Sequence, residues 1–411
     1  MQEHPLGKNY SRSVNLLIFI FPIVIISLQV AGDLVLFILA MMGIFISISK
    51  KLSPFNIQEI KVFSYLTLGY FLAVCLSVLF SGQAIELAHY IPRDFHFLFA
   101  PFIALALFKA EININYLLAG VKLGLLVLGL FILYRFQAGY SPPSNVMNSA
   151  VLGNLAVSLF FVVLVFYQQE PFKNKAFTLL SLLSGLFIIV ASGTRGAWLS
   201  FLLLSGVYLY FFYKQRNKLN IKSNFFIALI FGLIILIPFS QSIKDRAQSA
   251  HTEITSWVLG DKSATLNGLP TSVGVRLQMY SLATKKIKDV PLFGHGYRTS
   301  NIVVFEDVKS TSGQLSYTYN HLHNAYLTNY FNGGVVLLGA LLLILFAPLR
   351  IFLKANFQNR EDPVFIAGAF LTLGYASFGM VNILLGDTYM NGFYVFFLAL
   401  FLLLTKKSLQ N

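Results

Sequence analysis

Twelve apolar runs, separated by short polar turns and by one long loop, account for most of this chain. They lie at about 14–30, 33–49, 62–80, 95–108, 116–134, 149–168, 176–192, 196–213, 224–240, 323–347, 364–385 and 391–405. About 20 apolar residues make a helix that crosses a bilayer. Inside hydrocarbon every backbone polar group must be satisfied within the fold. Of the 411 residues, 56% are hydrophobic and 11% charged, whereas soluble domains carry about 25% charged residues. The mean hydropathy is +0.71. Too few polar residues remain to cover a soluble core, so the sequence predicts an all-α polytopic membrane protein of about 12 transmembrane helices. The first run follows Lys8 and Arg12 as a signal peptide would, but Gln29-Val30-Ala31 is a poor cleavage site and a second run follows at once. It reads as an uncleaved helix. The one cysteine, Cys75, lies in an apolar run and excludes an internal disulfide or a cysteine metal site.

The net charge of +14 fits nucleic acid, anionic lipid or an anionic substrate equally until the charges are placed. With the N-terminus in the cytoplasm, 17 of the 30 Lys and Arg residues fall in cytoplasmic segments and only Arg93, Arg135 and Arg195 in short outer loops. This asymmetry is the positive-inside pattern. It predicts both termini inside and explains the basicity without nucleic acid. The chain divides into helices 1–9 (residues 1–240), a long outward loop (241–322) and helices 10–12 (323–411). The loop is itself basic. Within it, residues 275–288 place Leu277, Tyr280, Ala283 and Ile287 near one helical face, with lysines at the far end. That pattern fits an amphipathic helix on the membrane surface or, equally, an ordinary packed helix of a small cap.

Three clusters bear reactive side chains. The first is the turn Ser192-Gly193-Thr194-Arg195-Gly196-Ala197-Trp198. Arg195 there reads either as a snorkelling anchor or as an anion ligand, because its planar fork suits phosphate oxygens. The second is Gly274-Val275-Arg276 at an expected helix N-terminus, where an anion is favoured or the arginine is simply solvated. The third is Asn320-His321-Leu322-His323-Asn324, where the loop re-enters the membrane. A histidine there suits general-base work on a hydroxyl; it equally suits a plain helix start. The nearest acids to the His-x-His pair are Glu306 and Asp307, so a metal is not expected. Asp33 and Asp387 read as boundary carboxylates. No P-loop, dinucleotide glycine pattern, HExxH or GxSxG occurs. Together these features point to a lipid-anchored diphosphate donor, two arginines on its diphosphate and a histidine that deprotonates an incoming hydroxyl. A transporter would carry ionisable groups deep in its spans; Lys122 is the only basic residue well inside one.

The segments SGTRGAWLSF (192–201), GVRLQMY (274–280), PLFGHGYRTS (291–300) and HLHNAYLTNYFNGGVVLLGAL (321–341) resemble the O-antigen ligase family, within the O-antigen ligase and polymerase superfamily. The resemblance covers about residues 190–345; the N-terminal half matches in hydropathy alone. It implies a GT-C-like inner-membrane glycosyltransferase that moves a glycan from undecaprenyl diphosphate to lipid A–core on the periplasmic face, without metal or other cofactor. It places Arg195 and Arg276 on the donor diphosphate and the base on His323. His321, Asn324 and Arg298 are possible secondary contacts. The alternatives are a repeat-unit polymerase with the same donor chemistry, and a protein O-glycosylating ligase.

Overall fold

The computed structural model describes residues 5–81, 88–140, 147–215, 240–259, 265–266, 269–270, 272–289, 292–300, 321–358, 362–382 and 384–408. Within them lie α1 (Lys8–Ile25), α2 (Gln29–Ser49), α3 (Lys61–Leu79), α4 (Phe95–Phe108), α5 (Ile114–Gln137), α6 (Ser149–Phe166), α7 (Phe172–Ala191), α8 (Arg195–Gln215), α9 (Ser240–Val258), α10 (Ser272–Lys286), α11 (Ala325–Gln358), α12 (Pro363–Gly379) and α13 (Thr388–Ser408). The remaining regular structure is a few short helical turns and one antiparallel pair, Thr265–Leu266 against Leu269–Pro270. Eight described helices are long and apolar enough to cross a membrane, and Pro363–Gly379 is a shorter apolar one. The chain is therefore a polytopic helical membrane protein. The count of twelve spans is not reached among the described residues. The expected ninth, 224–240, lies almost wholly outside them, and α1 and α8 are not among the eight.

Helix starts follow from local chemistry. Asn113, Asn148 and Asp362 accept hydrogen bonds from the first free amides of α5, α6 and α12, and Pro363 occupies the first turn of α12. Helices α6 and α13 sit centrally, each with 83% of its span buried. This explains why neither shows an amphipathic stripe: a helix enclosed by others is apolar all round. Helix α13 packs its rings inward, with Phe396 4.0 Å from Phe21 and Phe393 4.3 Å from Phe397, centroid to centroid. The peripheral helices turn apolar residues outward, as with Leu130 at 65% and Leu202 at 65% exposure, which suits a lipid solvent.

Two contacts relate the termini. The Leu6 amide donates to the Lys109 carbonyl at 3.0 Å, and Lys407 Nζ donates to the neighbouring Ala110 carbonyl at 3.3 Å. Leu6 and Lys407 thus both meet the Lys109–Ala110 turn at one face of the bundle. Lys122 inside α5 is paired with Glu170; the two side chains are 7% and 8% exposed. A buried charge held by a partner of opposite sign is a structural pair, which removes the one basic residue that hinted at a transport path.

Helix α11 is broken at Gly333 (φ −133°, ψ 15°) and Gly334 (φ 61°, ψ −154°). The break receives the Leu-Phe-Gly-His-Gly turn of residues 292–296. The His295 amide donates to the Phe331 carbonyl at 2.9 Å and the Gly296 amide to the Asn332 carbonyl at 2.8 Å. The Asn332 side chain accepts from the Ser300 amide at 3.1 Å. A Cβ on Gly334 would stand 2.3 Å from the Leu292 carbonyl oxygen. Gly334→Ala therefore combines a left-handed backbone with a backbone collision, a loss of about 1–3 kcal/mol from conformation alone and more from the overlap. The expected result is a much lower yield of folded, detergent-extracted protein and a lower melting temperature. Gly339→Ala, whose Cβ meets open space, should behave as wild type.

Candidate functional site

The reactive residues gather at the end of the bundle opposite the Lys109 turn. Four elements build the site: the start of α8, the body of α10, the segment 321–325 that opens α11, and the turn 380–387 between α12 and α13.

Helix α10 begins at Ser272, so Arg276 lies in its second turn and not at its N-terminus as the sequence implied. Any anion contact is made by the guanidinium itself. The helix buries Val275, Met279 and Ala283 with Leu322 and Phe331, while Leu282, Ile287 and Leu327 pack at the edge. Of the four expected face residues, Ala283 and Ile287 belong to this stripe; Val275 and Met279 take the places expected of Leu277 and Tyr280. Through this stripe the helix packs against the segment that opens α11. Tyr280 instead braces the histidine segment, its hydroxyl donating to the His323 main-chain carbonyl at 3.0 Å.

His323 lies before α11, not within it, and holds φ +51°. Among the described residues three non-glycine residues have positive φ: Lys51, Arg298 and His323. Two of the three are in this site. Left-handed backbone costs a residue with a Cβ about 1–2 kcal/mol, and such strain persists where the surroundings over-determine it. The His321 and His323 rings lie 4.4 Å apart, centroid to centroid. His321 Nε2 is 3.0 Å from Asn382 Oδ1. Asn324 caps the helix, accepting from the Leu327 amide at 2.9 Å and donating to the Met380 carbonyl at 3.3 Å. Its role is to hold the histidine segment in place.

The arginines complete the site. Arg195 is the first residue of α8, and its Nη1 is buried with no hydrogen-bond partner. A Cβ on the next residue, Gly196, would touch the Val381 side chain at 2.6 Å, which puts this start directly on the 380–387 turn. Trp198 is held by a bond from its indole to the Ile189 carbonyl at 3.1 Å. Arg298 donates to the Gly386 carbonyl on the same turn, and its Nε is likewise buried without a partner. Its guanidinium lies 5.5 Å from the Tyr90 ring centre and 5.7 Å from that of Tyr297. Below it runs a buried network. The Tyr297 hydroxyl donates to Asp94 Oδ2 at 2.5 Å. Asn391 donates to Asp94 Oδ1 at 3.1 Å and accepts from the Gly386 amide at 2.8 Å. Asp387 accepts from the Met390 amide at 3.2 Å at the start of α13, the boundary role read from sequence. Asp33 is paired with His96 at 3.0 Å.

Unpaired buried guanidinium donors cost more than neutral ones, and acceptor oxygens of an anion would satisfy them. The histidines answer to the same positive surroundings. Burial, then the charges of Arg298 and Arg276, holds His321 down to about 4 against the lift from Asn382. Burial, His321 and Arg276 hold His323 down to about 3. Both rings are neutral at physiological pH and able to accept a proton. The unfolded chain binds those protons near the ordinary value of about 6.5. Between that pH and about 3 the unfolded state therefore binds more protons, so stability rises with pH across the window. The contribution is whole above about 6.5 and is lost as the pH falls through the folded values. The melting temperature of purified protein should decline as the pH is lowered from 6.5 toward 4, and a His321→Asn, His323→Asn double variant should decline less steeply.

Sequence reasoning singled out Arg195, Arg276, His321, His323, Asn324 and Arg298, and the fold brings their segments toward one end of the bundle. It missed Asn382, Tyr280, and the Asp94–Tyr297–Asn391 network. Asn382 had no local signal, since nothing near it repeats or pairs in sequence.

Residues 176–344 match the family described as O-antigen ligase. That stretch holds the arginine turn, the docked Gly-His-Gly turn and the histidine segment. The chain is also 28% identical over 365 residues to an uncharacterized protein of Haemophilus influenzae, covering 86% of this chain and 88% of that one. The family match supports glycan transfer of the ligase or polymerase type. Over residues 176–344 this multi-pass membrane protein is similar to the O-antigen ligase family.

Proposed function

We propose that the protein is a glycosyltransferase that moves an O-antigen glycan from undecaprenyl diphosphate to a sugar hydroxyl of lipid A–core. The observation that carries this reading is a pair of neutral histidines under the charge of Arg276 and Arg298, with buried donors of Arg298 and of Arg195 that lack an acceptor. Arg195 and Arg276 hold the donor diphosphate, with Arg298 beside them. His323 takes the proton of the acceptor hydroxyl as its oxygen attacks the anomeric carbon. The bond from that carbon to the phosphate oxygen breaks, and the diphosphate leaves with the electron pair. The arginines stabilise the charge that develops on it. No nucleotide is required, because the leaving lipid diphosphate supplies the driving force. The bundle sits in the bacterial inner membrane with both termini cytoplasmic and the site facing the periplasm. Supporting this, the lysine-rich turns lie at the end opposite the site, as the positive-inside rule requires. The donor's lipid tail then stays in the bilayer while its diphosphate reaches the boundary.

A repeat-unit polymerase shares this donor chemistry and differs in its acceptor, a second lipid-linked glycan. Deleting the gene separates the two. A ligase deletion leaves full-length lipid-linked polymer and bare core. Core bearing a single repeat unit would instead identify a polymerase.

A further inference from the structure

Asn382 follows α12, outside the 176–344 family segment. It is 7% exposed. Its Oδ1 faces His321 Nε2 at 3.0 Å, and an amide oxygen only accepts. With the amide in this orientation the matching tautomer has its proton on Nε2 and its lone pair at Nδ1. The His321 ring is tilted 54° to that of His323 at 4.4 Å. The backbone is held as firmly as the ring. Asn324 donates to the Met380 carbonyl two residues before Asn382, and Tyr280 holds the His323 carbonyl from α10. His323 is thereby kept at its positive φ from both sides, and the 380–382 turn is the common support. Asparagine suits this place because a carboxylate would form an ion pair with a protonated ring, while an amide fixes the neutral form.

We propose that Asn382 is a positioning residue for glycan transfer: it fixes the tautomer and ring plane of His321 and, through the paired rings, the plane of His323 beside the acceptor hydroxyl. The proposal rests on the reading of the histidine pair as the acid–base site. Among the described residues, the charged and titratable groups that bear on the pair include Arg276 and Tyr280 from α10 and Arg298 from the docked turn.

The test uses the full chain in liposomes with a polyprenyl-diphosphate-linked glycan and lipid A–core. Asn382→Ala should lower kcat by about 10- to 100-fold, the usual effect of losing an orienting partner, with the KM for donor little changed. Asn382→Asp keeps an acceptor for Nε2–H and should recover most of the kcat. Its added negative charge should move the acid limb of the kcat–pH profile upward. Alanine and aspartate variants with wild-type kcat per folded molecule and unshifted profiles would overturn the positioning role while His321→Ala and His323→Ala remain impaired. Full activity in both histidine variants would overturn the acid–base reading itself, and the proposal with it.

Discussion

Replacing His323 with alanine should lower glycan transfer by about 10²–10⁴-fold, the range a positioned general base contributes. Donor binding should survive, because the groups assigned to the diphosphate are arginines. His323→Gly is the more informative variant. The residue stands at φ +51°, which glycine adopts at no steric cost. Relief of that strain, about 1–2 kcal/mol, roughly offsets the conformational freedom glycine adds to the unfolded chain, about 0.5–1 kcal/mol. The glycine variant should therefore melt close to wild type and still fail to transfer glycan. Comparing melting temperature and turnover in the same preparation separates a chemical loss from a folding loss. A glycine variant with normal turnover would show that the side chain takes no part in the reaction.

The second large effect is expected at the arginines. Arg195→Ala and Arg276→Ala should each cost about 10²–10³-fold in kcat if each stabilises charge on the leaving diphosphate, as removal of one preorganised donor does elsewhere. Unlike the His323 variants, they should also weaken donor binding, so that KM for donor rises. Lysine at either position keeps the charge and loses the two-pronged geometry, and should recover part of the binding and less of the rate. Arg195 should respond more sharply than Arg276 to lysine replacement. Its Nη1 is already buried without a partner, and a lysine ammonium does not reach the same acceptor in the same plane. The measurement is steady-state kinetics against donor concentration for the four variants.

Much of the membrane architecture was legible because lipid imposes a simple rule: each crossing needs a long apolar run with its backbone satisfied internally. The expected runs at 33–49, 62–80, 95–108 and 149–168 correspond closely to α2, α3, α4 and α6. The reactive clusters were legible because arginine and histidine are unusual at a membrane boundary. What stayed hidden arises from tertiary contact. Gly333 and Gly334 read as ordinary glycines of a membrane helix, yet they break α11 so that the 292–300 turn can dock by backbone hydrogen bonds. The register of α10 was misjudged because four-residue spacing fits more than one stripe, and only the position of Leu322 and Phe331 selects Val275, Met279 and Ala283. His323 was expected inside the tenth helix; the cap formed by Asn324 puts it two residues before the first helical residue, where its backbone is strained. Asn382 and Asp94 are far from the clusters in sequence, and only the packing of α12, α13 and α4 brings them near.

The central claim is that this site joins a lipid-linked glycan to a lipid A–core hydroxyl with a histidine base. The most direct measurement reconstitutes the purified protein in liposomes with undecaprenyl-diphosphate-linked glycan and lipid A–core, and follows both products by mass spectrometry. The account predicts glycan on lipid A–core, one free undecaprenyl diphosphate released per transfer, no nucleotide requirement, and loss of both products in the His323→Gly protein. Glycan appearing on a second lipid-linked glycan while lipid A–core stays bare, or transfer undiminished in the glycine variant, would contradict it.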